Sequence, residues 1–378
     1  GDATHEYATA GTYTVKIIGD FPRIYFNNSG DSNKIRSIEQ WGTQQWTSMA
    51  SAFYGCDRLV LNADDIPDLS AVTDVSQMFR GARGLVDHKD QIGNWNISTI
   101  TNMSNMFRTA SDFNENIGLW DVGNVTNFSF MFSTTGFFNQ NLNNWNIGEH
   151  VTGSINMSGM FDSSRAFNQP LDNWEVSKVT NMAGMFGVTE QFNQALNDWN
   201  TSNVSNMVGM FFGAKKFDQN LGSWNLSSIT NMSSMFQQSG LSTENYDAIL
   251  IGWAKQDAGE TIPSNINISF EGSTYCLGID ARNRLTDAAG FNWNISDDGT
   301  TCSSTDFFIP TWQTTTANES ITIPNTGSGY NYNIDWGDGT IATGVTGNAT
   351  HEYAIAGTYI VKINGDFPRI FFNNRGSR

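Results

Sequence analysis

Residues 95–107 read WNISTITNMSNMF, and residues 224–236 read WNLSSITNMSSMF. Between them the same sentence recurs as WDVGNVTNFSFMF (120–132), WNIGEHVTGSINMSGMF (145–161), WEVSKVTNMAGMF (174–186) and WNTSNVSNMVGMF (199–211). The tryptophans Trp95, Trp120, Trp145, Trp174, Trp199 and Trp224 stand 25, 25, 29, 25 and 25 residues apart. The long interval carries a four-residue insertion around EHVTGS. Two degenerate copies, TSMASAF (47–53) and TDVSQMF (73–79), fill the same slot upstream. The slot's last phenylalanine therefore recurs at 53, 79, 107, 132, 161, 186, 211 and 236. A unit of this length cannot bury its apolar face alone, so the spacing predicts a stack of about eight coils, a solenoid.

Each repeat splits into two halves. Met232, Met235 and Phe236 stand at i, i+3, i+4, which predicts a short helical turn. Phe217 and Leu221, with Trp224 three further on, predict a short strand entering a turn. Three residues past the slot's phenylalanine the chain holds Cys56, Ala82, Ala110, Thr135, Ser164, Thr189, Ala214 and Ser239. All are small, so backbones approach closely there, and Cys56 reads as a buried core residue. Asn102, Asn127, Asn156, Asn181, Asn206 and Asn231 form a second column, expected to pair backbone groups of the turns. The strand tips carry a third column: Asn139 and Gln140, Asn168 and Gln169, Asn193 and Gln194, Asp218 and Gln219. If they face outward they make a nearly uncharged amide strip able to bond sugars. If they face one another they support only the coils.

The repetition stops at Leu241. STENYDAILIGWAKQ reads as an amphipathic helix capped by Ser242 or Thr243. NINISFEGSTYC, IDARNRLTDAA and FNWNIS then read as strand, helix and strand, a cover for the open end of the stack. Cys276 and Cys302 flank this cap, and a bridge between them would staple it. Two free thiols in a reducing compartment are the alternative.

Residues 306–363 alternate as short strands with Gly, Asp and Asn turns (SITIP, YNYNIDWGDGT, HEYAIAGTYIVKI), the pattern of a β-sandwich. Residues 1–30 repeat residues 347–376 at 24 of 30 positions, an offset of 346 residues. Tyr13, Val15 and Ile17 return as Tyr359, Val361 and Ile363. Thr14 and Ile18 become Ile360 and Asn364, at positions of the opposite parity. One face of a strand is thus held and the other is free. The organisation expected is the end of a preceding sandwich with its linker strand (1–30), a solenoid (31–240), a cap (241–304), a sandwich (305–365) and the start of another solenoid (366–378). Together these form one period of a tandem array.

The repeat WxVSxVTNMSxMFxxAxxFNQxLxxW, with LSTENYDAILIGWA, YC and AR behind it, resembles the BspA-like leucine-rich-repeat surface proteins of bacteria over about residues 47–302. WGDGT with HEYAxAGTYxVxI is similar to the PKD domain, an immunoglobulin-like sandwich, over about 306–365 and part of 1–18. The resemblance implies an α+β architecture: a leucine-rich-repeat-like solenoid with an α/β cap, joined to an all-β immunoglobulin-like sandwich. It also implies an extracellular or surface-attached unit of a large repetitive protein, a fibre or an adhesin.

The chain's net charge of −17 argues against a nucleic-acid partner, which needs basic surface. No apolar run is long enough to insert in a membrane. G-x-S-x-G, H-E-x-x-H and P-loop patterns are missing, and His88 and His150 have no evident nucleophile beside them, so the chain reads as non-enzymatic. Asp335 and Asp338 in DWGDGT are turn residues by the simpler reading and calcium ligands by the other. No further cofactor is expected. The partners expected are adjacent units of the same chain, with surface glycan, protein or other fibres as the alternative through the solenoid face.

Overall fold

The computed structural model describes residues 3–255, 257, 259–303 and 306–372. Residues 373–378, the last part of the expected next solenoid, lie outside the described residues. So do Gly1 and Asp2 of the matching opening segment.

The repeats stack, and the backbone accounting of one repeat shows how. The N–H groups of Met103, Asn105, Phe107 and Thr109 donate to the carbonyls of Asn127, Ser129, Met131 and Ser133 in the next repeat. The intervening N–H groups stay at home. Ser104 donates to Asn102 Oδ1, Met106 to the Met103 carbonyl, Arg108 to that of Asn105 and Ala110 to that of Phe107. Every second donor thus ties two repeats together, and the others close turns within one repeat. This alternation needs a left-handed residue in the middle of each slot. Gln77, Asn105, Phe130 and Ser234 sit at φ between 55° and 57°, and Gly159, Gly184 and Gly209 between 59° and 63°.

That residue overturns the helical turn expected at Met232–Phe236: one left-handed position breaks the α pattern, and the segment is a chain of turns instead. The strand expected through Phe217 and Leu221 is also not formed. There the N–H groups of Asn139, Asn168, Asn193 and Asp218 donate to side-chain Oδ1 atoms of the preceding repeat, not to backbone carbonyls, so no backbone ladder develops.

The expected fold class is corrected accordingly. Among the described residues there are two α-helices and six small sheets of two or three strands, none of them closed, and most of the chain is irregular. Within the repeats the only strands among those residues are Ser37–Ile38 (β1), paired in parallel with Val60–Leu61 (β2), and Ile155–Asn156 (β3), paired in parallel with Val179–Asn181 (β4). This is neither a leucine-rich-repeat-like solenoid nor an immunoglobulin-like sandwich in an α+β architecture.

Side chains fill the interior in columns. Phe53, Phe79, Phe107, Phe132, Phe161, Phe186, Phe211 and Phe236 stack at 5.5–5.8 Å between successive rings. Trp145, Trp174, Trp199 and Trp224 stack beside them at 6.2–6.4 Å. Each buried indole N–H also needs an acceptor. Trp120, Trp145, Trp174, Trp199 and Trp224 donate to the carbonyls of Ile92, Ile117, Leu142, Leu171 and Leu196. Each acceptor stands three residues before the tryptophan of the preceding repeat.

The helix Thr243–Ala254 (α1) continues this column, since Trp253 donates to the Leu221 carbonyl at 2.9 Å. Phe270, on the strand Asn267–Phe270 (β5), receives the phenylalanine column at 5.0 Å from Phe236. β5 pairs in parallel with Asn294–Asp297 (β6). The helix Ile279–Thr286 (α2) lies between them in sequence. Arg282 on α2 grips Asp297 at 2.7 Å, and Asp297 also accepts from buried Tyr246. One apolar core runs from Trp41 to Ile295.

A second core gathers Ile321, Ile323, Tyr332, Ile334, Tyr353, Val361 and Ile363. Here Asn331–Asp335 (β9) lies between Ile341–Val345 (β10) and Lys362–Asp366 (β13). Glu319–Ile323 (β8) pairs with Ala349–Tyr353 (β11), and Thr311–Gln313 (β7) with Thr358–Ile360 (β12). Three consecutive strands therefore join three separate small sheets. This unit meets the cap through Thr343 and Glu244, Lys362 and Asp280, and Asn364 with both sulfurs of Cys276 and Cys302.

The matching segments at the two ends fold differently. Phe26, Asn27 and Asn28 donate to Ala52, Ser51 and Tyr54 of the first repeat, while Phe367, the counterpart of Phe21, packs against Tyr332 at 4.8 Å.

Candidate functional site

The amide column forms a connected chain. Asn139 Oδ1 accepts from the Asn168 N–H at 2.9 Å and from Gln169 Nε2 at 3.1 Å. Asn168 Oδ1 accepts from the Asn193 N–H and from Gln194 Nε2, both at 2.9 Å. Asn193 Oδ1 accepts from the Asp218 N–H and from Gln219 Nε2 at 2.9 and 2.8 Å. Gln140 reaches back to the Asn114 carbonyl. The strip lies at the surface, yet each asparagine oxygen takes two donors from the following repeat. It is a ladder that holds repeats in register.

The ladder ends at Asp218, where the next partner is a helix. Asp218 Oδ1 accepts from the N–H and hydroxyl of Ser242 and from Asn245 Nδ2, at 2.8–2.9 Å. All three partners are donors, so a carboxylate, which only accepts, suits this place better than an amide. Its charge also faces the positive end of α1.

The column of Asn102, Asn127, Asn156, Asn181, Asn206 and Asn231 faces its own repeat. Each side-chain oxygen accepts the N–H two residues on. The repeat-to-repeat bridges at these positions are made by their backbones.

Cys276 and Cys302 are joined in a disulfide, and Cys56 is a buried free thiol. Burial, helped by the charge of Asp57, pushes the Cys56 thiol up to about 12, out of the reactive range. The bridged loop is held from α1 by buried Asp247. Its Oδ1 accepts the N–H groups of Cys276 and Gly278 at 2.8 Å, and its Oδ2 that of Leu277 at 2.9 Å. Desolvation outweighs these three bonds and pushes its carboxyl up to about 6. Asp247 was not singled out from sequence, because an acid on an amphipathic helix, like Glu244 one turn earlier, looks like a solvent-facing one.

Asp335 and Asp338 are engaged in their turn. Asp335 accepts the Gly337 N–H, and its carboxyl is raised by burial. Asp338 accepts the N–H and hydroxyl of Thr340 and meets His351 Nε2 at 2.8 Å. Burial alone would raise Asp338, but these bonds and the neighbouring imidazole bring it below the usual range. Among the described residues no three His, Cys, Asp or Glu side chains gather around one point.

One concave place was missed from sequence. A shallow, open cleft of about 650 Å³ is lined by Asn28, Asn33, Tyr54, Asp57, Arg80, Arg83 and Arg108. Arg80 lies over the Tyr54 ring at 4.9 Å and bonds Gln77, and Arg108 lies over Phe130 at 5.0 Å and bonds Asn105. Both arginines follow the slot's phenylalanine directly. Two bases in one column of a strongly acidic chain were the available signal.

The arrangement defines a repeat protein in which turns and side-chain amides, more than strands or helices, join one repeat to the next. The chain belongs to the family described as "Mycoplasma protein of unknown function, DUF285", which it matches over residues 19–83, 47–155 and 150–249, more than half its length. No curated protein and no solved structure matches it.

Proposed function

We propose that this chain is a non-enzymatic structural and adhesive unit of a long repetitive bacterial protein displayed outside the cell. The observation that carries this reading is the ladder itself: the most conspicuous polar side chains, from Asn139 to Asp218, bond the next repeat. Support also comes from the 346-residue recurrence of the opening segment and from the disulfide, which suits an oxidising compartment. The partners under this reading are further units of the same kind. Antibodies raised against the purified chain test it on the source cells. They should label intact cells, and external protease should remove the label. Label that requires permeabilised cells contradicts the proposal.

The cleft favours a second reading, a binding module for an acidic glycan or protein surface. Arg80 and Arg108 are presented by aromatic rings at its wall, which pre-orders their guanidinium groups. A glycan array probed with the chain and with an Arg80→Ala/Arg108→Ala variant tests this. Acidic glycans retained by the first and lost by the second support it, and no retention by either contradicts it.

A further inference from the structure

Lys34, Lys89 and Lys255 pair with carboxylates at the surface, their side chains 73, 42 and 44% exposed. Lys362 is unlike them: it pairs with Asp280 while only 11% exposed. Two units of the fold meet at this pair. Lys362 lies on β13 of the sheet unit, and Asp280 stands in the first turn of α2 in the cap. Asn364, two residues along the same face of β13, also holds the cap, through the sulfurs of Cys276 and Cys302 at 3.0 and 3.3 Å. Thr343 on β10 adds a third tie, to Glu244 on α1. Three contacts at one junction fix the strand against the cap and keep the lysine on its carboxylate.

A second carboxylate approaches the same amine from within the sheet. Asp335 on β9 stands opposite Lys362 in the antiparallel register, which puts both side chains on one face with their Cβ atoms about 5 Å apart. Asp335 accepts the Gly337 N–H at 2.9 Å. Burial raises its carboxyl, and Asp280 and Asp338 add to the rise, against the Gly337 bond and Lys362. Such a group takes up a proton more readily than a carboxylate in water. Asp247, which also acts on Asp335, is itself held by the N–H groups of Cys276, Leu277 and Gly278. Lys362 is thus set between an acid suited to carry a proton and Asp280, whose side chain is 71% exposed.

We propose that Lys362 and Asp280 become joined by an intramolecular isopeptide bond, a covalent link between the sheet unit and the cap. Asp335 takes one proton from the Lys362 ammonium. The freed electron pair on Nζ attacks Asp280 Cγ and forms the C–N bond. A Cγ–O bond then breaks, and its oxygen leaves as water with the proton returned by Asp335 and a second proton from the nitrogen. One ammonium and one carboxylate become one amide and one water, so the step needs no oxidant, reductant or further reactant. Between free ions in water this condensation runs uphill. Here the folded junction holds amine and carboxylate together, which raises their effective concentration far above that of free groups, and the exposed side of Asp280 lets the water leave. The linked chain keeps cap and sheet unit together even when the Cys276–Cys302 bridge is reduced.

Mass spectrometry of the intact full chain tests this. After reduction of the disulfide, the chain should be lighter than its sequence by one water. Trypsin should then release a branched peptide that joins residues 256–282 to residues 285–369, uncut at Lys362. Reduction and alkylation come first, because the native disulfide joins the same two peptides. Lys362→Arg keeps the positive charge but removes the amine, and should restore the full mass. Asp335→Asn keeps the shape and removes the proton acceptor, and should leave most chains unlinked with unchanged circular dichroism. A wild-type chain at its full sequence mass, cut by trypsin at Lys362, overturns the proposal. A water lost at any other position overturns it too. A folded Asp335→Asn chain that is fully linked overturns the role given to Asp335. Should that variant unfold, the wild-type mass and the branched peptide decide alone.

Discussion

Asn168 and Gln194 share one hydrogen bond but do different work. Asn168 Oδ1 accepts two donors, one of them the backbone N–H of Asn193, whereas Gln194 supplies the other from its side chain. Removing the acceptor strands a backbone donor, so Asn168→Ala should cost about 1 kcal/mol in urea unfolding. Gln194→Ala removes both its own donor and its need for a partner and should cost under about 0.5 kcal/mol. Equal losses would contradict the ladder. The columns of small residues, asparagines and amides were legible in the sequence because the repeat aligned them. Which way the amides faced was not, since amide oxygens serve a sugar or a neighbouring N–H equally well. Asp247 gives the pH prediction. Its carboxyl is raised to about 6 in the folded chain, against about 4 when unfolded. The folded state therefore holds the proton longer, and stability from this group is greatest below about pH 4 and falls as pH rises to 6. Wild type should lose melting temperature relative to Asp247→Asn across that window, and a difference that stays constant contradicts the assignment.

At the level of elements, the period was legible and the secondary structure was not. The spacing of Met232, Met235 and Phe236 matches a helix, but the left-handed Ser234 between them breaks it. Nothing in a hydrophobic pattern reports φ. The glycines at 159, 184 and 209 in the same column were a hint, diluted by Asn105 and Phe130 at equivalent places. Gly184 offers a clean test, because a Cβ there would meet nothing within 4 Å. Gly184→Ala should then cost about 1 kcal/mol, from backbone conformation alone; an unchanged denaturation midpoint would show that the left-handed turn is dispensable. The cap was read more fully: α1, β5, α2 and β6 follow the expected order, because their apolar spacing and the Ser242 cap are local signals. The sheet unit shows the opposite case. Its strands alternate as expected, but their partners are set by long-range pairing, and β11, β12 and β13 go to three sheets. Likewise the segment around Phe21 closes the first repeat, while its counterpart around Phe367 lies on the sheet unit. One sequence serves two surroundings, and context decides.

At the level of the molecule, one core spans Trp41 to Ile295 and passes into the cap without a break, because Trp253 and Phe270 extend the two aromatic columns. The sheet unit is fastened to that cap by Asn364 and by the Lys362–Asp280 pair. Repeat is joined to repeat through backbone and side-chain hydrogen bonds along the whole of that core, and the proposed role as a unit of a surface fibre rests on that continuity. The most direct measurement of that account is electron microscopy of the native protein released from its source cells. The eight stacked repeats span about 40 Å at strand-like spacing. The account predicts elongated, beaded particles with a regular period on the order of 100 Å once the cap and sheet unit are added. Single compact particles with no internal period would contradict it.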